Sequence, residues 1–164
     1  MKKHLTSSTQ HQAITKAEKF WYGWLKGAAI IVTLFGVILS VYTVISGSSI
    51  TVLNEHIANT FKLSDEFMID IQDLQAWMIA IIGSVTAGWG ITLLYMIIVP
   101  LKRKEKWAWN AIMISMLVWF SIDTFISSYY GARFNVVINI AFALQFVAPL
   151  LFLRTTMLNE NKDV

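Results

Sequence analysis

The sequence predicts an all-α protein, an antiparallel four-helix transmembrane bundle with a short amphipathic helical segment in its first outer loop. One observation is a set of four long apolar runs, at residues 27–46, 74–99, 107–130 and 134–153. Each run meets the ~20 residues that an α-helix needs to cross ~30 Å of bilayer hydrocarbon. The second observation is composition, because 56% of the residues are hydrophobic and 14% are charged. A soluble domain carries about 25% charged residues.

The four spans use most of the 164 residues, so the chain has room for one domain. We divide it into an N-terminal tail (1–19), a four-helix domain (20–156) and a C-terminal tail (157–164). The absence of cysteine excludes disulfides and thiolate metal sites. A polar stretch of roughly twenty residues precedes the first span, which favours a retained anchor over a cleaved signal peptide.

The first helix is predicted to begin near Thr15, because Thr15 and Glu18 have the spacing of a capping box. Aromatic residues between Phe20 and Trp24 then mark the membrane interface. Glycine and serine at 47–49 end the helix.

The outer loop, residues 47–73, carries five acidic residues and apolar residues at helical spacing. This pattern predicts one or two short amphipathic helices that lie on the membrane or cap the bundle. A partly ordered connector is the alternative. Ser64 followed by Asp65 and Glu66 is typical of a helix start.

The second span carries small residues at every fourth position, which allow close approach of another helix. They are Ala80, Ser84, Gly88 and Thr92. Gly36 and Ser40 repeat the pattern on the first span, as do Gly23 and Gly27 before it. The pattern predicts packing on these faces without distinguishing contacts inside the chain from contacts in a dimer.

The remaining connections are short, which favours an up-down-up-down bundle. Trp107 and Trp109 follow a basic inner loop and mark the return to the membrane. Pro149 lies inside the fourth span. It is expected to kink that helix and to free a carbonyl about one turn earlier.

The basic residues predict the topology. Of the 13 Lys and Arg residues, all but Lys62 and Arg133 lie before the first span, between spans two and three, or after the fourth span. The positive-inside rule places both termini in the cytoplasm. The formal charge of +3 and the pI near 9.2 are explained by this arrangement. A nucleic-acid partner is not expected, because the basic residues flank spans and no base-reading module accompanies them.

Asp123 is the one ionisable residue well inside a span. A charge near the bilayer centre costs ~2.5–3.5 kcal/mol on insertion scales, so Asp123 is expected to face the bundle interior or water. Ser115, Trp119, Ser127 and Tyr130 share its face at three- and four-residue spacing.

Counting along the helices gives candidate neighbours for Asp123. Asp123 lies ~10 Å below the outer end of the third span, and Asn139 lies ~8 Å below the same surface. Asn135 is one turn above Asn139. The candidate ligand-binding residues are therefore Asp123, Asn139, Asn135, Trp119, Ser40 and Arg133.

Two interpretations of this cluster stay open. In one, it is a proton-handling or ligand-binding site that opens to the outside. In the other, Asn139, Thr124 or Arg133 satisfies the acid, and the contact fixes helix register. Trp89 and Trp119 either line a cavity or pack in the core, and Gln145 is expected to form an interhelical hydrogen bond.

No metal and no cofactor is expected. His4, His11 and His56 all lie outside the spans, which gives no support to intramembrane haem ligation. The sequence also has no Ser–His pair, no Gly-rich phosphate loop and no nucleotide motif.

Several stretches carry a resemblance to a known group. They are residues 83–90 (GSVTAGWG), 106–109 (KWAW) and 119–124 (WFSIDT), followed by Ser127, Gly131, Asn135, Asn139, Pro149 and Leu150. They resemble uncharacterised small bacterial inner-membrane proteins with four predicted transmembrane helices. The resemblance covers spans two to four. It implies a bacterial inner (plasma) membrane location and no particular activity.

The sequence thus predicts an integral membrane protein that is a non-enzymatic accessory subunit or a binder of an apolar or lipid ligand, with a polar pocket near Asp123. The expected partners are membrane lipids, and a homo-oligomer or another membrane protein. One alternative is a membrane enzyme that acts on a lipid or isoprenoid with Asp123 as general acid or base. The other is a proton-coupled transporter subunit.

Overall fold

The computed structural model describes residues 15–48 and 50–159, and in these ranges the chain is all-α without strands. The expectations for His4, His11 and the two chain ends lie outside the described residues. The helices are α1 (Lys16–Ser46), α2 (Thr51–Phe61), α3 (Asp65–Asp70), α4 (Gln72–Met96), α5 (Lys106–Tyr129) and α6 (Arg133–Asn159). A π-helical segment, Ile97–Leu101, continues α4.

Four of these helical stretches are long and apolar enough to cross a membrane, as the sequence predicted. They are Lys16–Ser46, Gln72–Leu101, Lys106–Tyr129 and Arg133–Met157. In the apolar 18-residue part of each stretch, only between 22% and 33% of the residues are buried inside the protein. Helices that are apolar all round and largely uncovered require lipid around them. The chain is a multi-pass membrane protein.

Both predicted helix starts are confirmed. The Thr15 hydroxyl accepts from the Glu18 amide at 3.2 Å, and the Glu18 carboxylate accepts from the Thr15 amide at 2.8 Å, which completes the capping box. Ser64 accepts from the Phe67 amide at 3.3 Å and begins α3.

The outer loop contains two helices, α2 and α3, which confirms the amphipathic segment. Two aromatic contacts hold α2 against the α5–α6 connection. His56 stacks on Phe134 with ring centroids 4.6 Å apart. Phe61 lies 5.8 Å from Tyr130. This helix therefore lies over the end of the bundle.

The two ends of the bundle differ. We call the end with the start of α1, residues 97–105 and the end of α6 the basic end. The opposite end, with α2, α3 and the α5–α6 turn, is the acidic end. Helix α1 packs between α4 and α6, α5 packs on α6, and α4 and α5 touch each other much less.

The continuous hydrophobic core lies in the half of the bundle nearest the basic end. It is built from large side chains of all four long helices. Its largest fully buried side chains include Leu25, Ile97, Leu101, Ile112, Phe146 and Leu150.

Glycines on facing sides of α1 and α4 bring these two helices into close contact. A Cβ atom added to Gly83 would lie 2.8 Å from both the carbonyl oxygen of Gly36 and the amide nitrogen of Ser40. Gly90 meets Thr33 in the same way. The predicted role of Gly36 and Ser40 in packing is confirmed.

The sequence predicted the wrong packing face for the second span. A Cβ atom added to Gly88 would meet nothing within 4 Å, and Ser84 and Thr92 are also exposed. Gly23 and Gly27 on α1 likewise face open space. The contact runs along Gly83 and its neighbours, about 140° from Gly88 around a helix of 3.6 residues per turn.

The carbonyl that Pro149 was expected to free has a partner. Proline cannot donate to the carbonyl one turn earlier, which is that of Gln145. The indole nitrogen of Trp24 donates to this oxygen at 3.1 Å. The interhelical bond expected of Gln145 is thus made by its backbone, while its side chain is exposed.

An ion pair closes the basic end. Lys104, which follows the π-helical segment with a left-handed backbone (φ 60°), places its Nζ 3.0 Å from a Glu18 carboxylate oxygen. Glu18 is 2% exposed. The bond ties the start of α1 to the α4–α5 connection.

Candidate functional site

The acid predicted to carry the site, Asp123, lies half-buried on α5 near the acidic end. The Asn135 side chain on α6 is its hydrogen-bond donor. Asn135 Nδ2 lies 3.2 and 3.4 Å from the two Asp123 oxygens and 2.7 Å from Ser127 Oγ. Of the bonds to the carboxylate, one is at the long end of the usual range and the other is beyond it, whereas the bond to Ser127 is short.

A tight turn brings the two helices together at this level. Gly131 has φ 74°, a left-handed conformation that glycine adopts without a steric penalty. The Ala132 amide then donates to the Ser127 carbonyl at 2.8 Å and closes the turn. Residues four apart on a helix share a face, so Asp123 with Ser127 faces Asn135 with Asn139.

A second polar pair lies beside the first. Asn139 is 1% exposed, and its Nδ2 lies 3.3 Å from the Thr124 hydroxyl. Counting along the helices had put Asn139 level with Asp123. In the structure Asp123 instead pairs with Asn135, which lies one turn nearer the acidic end than Asn139. Depth counting fixes the level of a residue but not its direction around the helix.

An aromatic layer lies one turn from Asp123 toward the basic end. Trp119 is its centre, with ring centroids 5.7 Å from Trp89 on α4 and 6.3 Å from Phe142 on α6. The layer packs against the hydrophobic core. Trp89 and Trp119, which the sequence left between cavity and core, therefore form the apolar base beneath the polar cluster.

Two predicted members of the cluster lie elsewhere. Ser40 donates to the Ala80 carbonyl at 2.7 Å and belongs to the α1–α4 contact. Arg133 is exposed at the start of α6, and among the described residues the one ion pair is Glu18–Lys104. Ser115, expected on the inward face of α5, is exposed as well.

The carboxylate of Asp123 thus has little compensation within the described part of the chain. An ionised carboxylate accepts about four hydrogen bonds, and a buried one is normally paired with a cation. Here the hydrogen bonds to the carboxylate come from one side-chain amide, that of Asn135. Acceptor capacity is left on a group that lies within a membrane span.

The acidic end carries two further polar atoms that sequence reasoning missed. Asn54 Oδ1 on α2 and Gln75 Nε2 on α4 are buried and have no hydrogen-bond partner among the described residues. Their positions depend on how α2 folds over the bundle, which no local pattern encodes. Buried polar atoms of this kind are usually satisfied by water or by a ligand.

In residues 15–48 and 50–159, no three His, Cys, Asp or Glu side chains come together in a group that could hold a metal ion. His56 is engaged in its stack with Phe134. The arrangement suits binding: an acceptor-rich polar cluster lies over an aromatic base.

Comparison with known proteins adds no assignment: no protein-family model, no curated protein and no solved structure matches this chain.

Proposed function

We propose that the protein is a non-enzymatic membrane protein that binds an amphiphile at Asp123. The ligand class is a lipid or another apolar molecule whose head group donates hydrogen bonds or carries a positive charge. The observation that carries this proposal is the half-buried Asp123 carboxylate inside a span, with Asn135 as donor and no cation beside it among the described residues.

The head group is recognised by the unused acceptors. Asn135 divides its two N–H groups between Ser127 and the carboxylate of Asp123, and the bonds to Asp123 are long. A short, charge-assisted bond from an ammonium or hydroxyl group would be stronger than these bonds. It would also offset the cost of holding the acid in the membrane.

The apolar part of the ligand is held by the aromatic layer of Trp89, Trp119 and Phe142. Aromatic side chains supply large apolar contact areas. The ligand enters from the bilayer between α4 and α5, since these helices touch each other much less than the other neighbouring pairs do. Trp89 and Trp119 form the base on which its chain rests.

The protein lies in a bacterial inner membrane, with both termini in the cytoplasm. Two arguments support this placement: the resemblance carried by spans two to four, and the concentration of Lys and Arg at the basic end. In this orientation the Asp123 site lies in the periplasmic half of the bilayer.

The experiment is native mass spectrometry of the full chain extracted in mild detergent. Wild-type protein should carry a bound amphiphile whose mass identifies it. Asp123→Asn preserves the size of the side chain and should weaken the affinity for the ligand by about tenfold, the effect of losing one charge-assisted bond, and so lower ligand retention. Asp73→Asn, an equal charge change on an exposed residue at the start of α4, is the matched control.

Equal ligand retention by Asp123→Asn and wild type would contradict the proposal. Thermal unfolding of both variants in detergent checks that the fold is intact. An enzyme acting on a lipid, or a proton-coupled subunit, would use the same carboxylate. In those cases Asp123→Asn would retain the ligand and lose lipid turnover or proton flux in reconstituted vesicles.

A further inference from the structure

A cavity of about 150 Å³ opens at the basic end of the bundle, at the opposite end from Asp123. It lies between the first turns of α5 and the last turns of α6. Its lining residues are Lys106, Trp109, Asn110, Arg154 and Met157. The space is larger than the roughly 10–15 Å³ that a single water occupies.

Two cations reach this cavity without a carboxylate partner in the described part of the chain. The one ion pair among the described residues joins Glu18 to Lys104, so neither Lys106 nor Arg154 takes part in it. The neighbouring acid, Glu105, accepts from the Trp107 indole nitrogen at 2.6 Å. The local charge of the cavity is therefore positive.

Arg154 is held in place by the wall of the cavity. Its guanidinium carbon lies 4.4 Å from the centre of the Trp109 ring, a cation–π contact. Trp109 is itself fixed, since it is 6% exposed and its indole nitrogen donates to the Leu150 carbonyl at 2.6 Å. A guanidinium positioned in this way has N–H groups suited to a phosphate.

Backbone amide groups add further hydrogen-bond donors, which carry positive partial charge. Helix α5 begins after Glu105, which makes no side-chain cap. In its first turn the Ala108 amide donates to the Glu105 carbonyl at 3.1 Å, whereas the amides of Lys106 and Trp107 lack carbonyl partners within the helix, and the helix dipole is positive there. Lys106 is the first residue of this turn, so its charge and the backbone donors lie at the same end of α5.

We propose that this cavity binds the phosphate group of an anionic membrane phospholipid. Phosphate matches a guanidinium, an ammonium and an amide donor, and basic pockets between helices at the cytoplasmic side are suited to lipid head groups. The lipid source is favoured over free phosphate by the surface beside the cavity. Ile114 lies one turn from Asn110, Leu151 lies one turn from Arg154, and both are exposed apolar residues on which acyl chains can lie.

The test uses the full chain in a neutral detergent, titrated with phosphatidylglycerol or with phosphatidylcholine of the same acyl chains. Native mass spectrometry counts the bound lipids. Wild type should bind phosphatidylglycerol more tightly. Lys106→Gln should weaken that binding by about tenfold, as expected for one lost charge-assisted bond. The double variant Lys106→Gln/Arg154→Gln should bind the two lipids equally.

The matched control is Lys102→Gln/Arg103→Gln, which removes two exposed charges from the same end but outside the cavity. It should retain the preference for phosphatidylglycerol. An equal loss in both double variants would show diffuse attraction to the basic end and overturn the site. Lys106→Gln alters one exposed side chain, so its result stands even if the Arg154 variant unfolds.

A second arm separates the two sources of phosphate. Inorganic phosphate is added to the protein bound to phosphatidylglycerol. Retention of the lipid supports a phospholipid site. Inorganic phosphate would instead displace the lipid if the cavity binds a soluble phosphate compound, and Lys106→Gln would then weaken phosphate binding as much as lipid binding. That result would overturn the lipid assignment.

Discussion

The close contact of α1 with α4 gives a sharp prediction about two glycines on one helix. A Cβ atom at Gly83 would lie 2.8 Å from the Gly36 carbonyl oxygen and the Ser40 amide nitrogen, whereas one at Gly88 would meet nothing within 4 Å. We therefore expect Gly83→Ala to destabilise the bundle and Gly88→Ala to be tolerated. The two changes add the same atoms to the same helix.

The size of the effect follows from the geometry. Ordinary contact begins at 3.4 Å, so the new atom is 0.6 Å too close to backbone that has no rotamer to change. Overpacking typically costs about 1–3 kcal/mol. The added atom would also lie 2.5 Å from Ser40 Oγ, whose hydrogen bond to the Ala80 carbonyl would be disturbed. Interhelical bonds in membranes average about 0.6 kcal/mol. We expect a loss of about 2–3 kcal/mol for Gly83→Ala, at the upper end of the overpacking range.

Equilibrium unfolding in mixed micelles, followed by circular dichroism, measures this difference. Gly88→Ala should leave the unfolding free energy within about 0.5 kcal/mol of wild type, as exposed substitutions do. Equal stability of the Gly83 and Gly88 variants would refute the α1–α4 contact. A loss confined to Gly88→Ala would mean that α4 presents the opposite face to α1.

Two further predictions concern the basic end and the topology. In a double-mutant cycle with Glu18→Gln and Lys104→Met, unfolding should give a coupling energy of about 1–3 kcal/mol, because Lys104→Met leaves the buried Glu18 carboxylate without its ion-pair cation. Coupling near zero would show that the pair contributes nothing. The native chain has no cysteine. A cysteine at Glu66 should therefore react with a membrane-impermeant maleimide in intact spheroplasts while one at Lys102 reacts only after lysis; the reverse pattern would invert the proposed topology.

Much of the fold follows from local sequence. The spans are set by length and apolarity, which a membrane demands of any crossing helix. The starts of α1 and α3 depend on side chains within three residues of Thr15 and Ser64, so spacing alone predicts them. The hydrogen bond near Pro149 was predictable in part. Proline chemistry predicts that the Gln145 carbonyl is freed, whereas its donor, Trp24, is determined by the fold.

The packing face of α4 was not predictable from sequence. Small residues occur on both sides of this helix, with Gly83 and Gly90 on one and Ser84 and Gly88 on another. In a soluble protein the apolar side would identify the buried face. In a membrane span both sides are apolar, so hydropathy carries little information about orientation. The same ambiguity misplaced Ser115 on α5.

The candidate site shows the same division. A lone acid in a span identifies itself, and Asp123 does lie at a helix–helix contact with Asn135. Its neighbours depend on how each helix is rotated about its axis. In the structure the partner is therefore Asn135 and not Asn139, and Ser40 and Arg133 lie outside the cluster. Asn54 and Gln75 were missed because they reach the acidic end through the packing of the outer loop.

The two halves of the bundle divide stability from binding. The large buried side chains are concentrated toward the basic end, and the α1–α4 glycine contact clamps the helices along their length. Burial of large apolar groups and close packing supply the stability of such a bundle. The cluster around Asp123 adds only long or neutral hydrogen bonds to it. A bundle built in this way tolerates loss of the Asp123 charge without unfolding, so ligand retention in Asp123→Asn reports on binding itself.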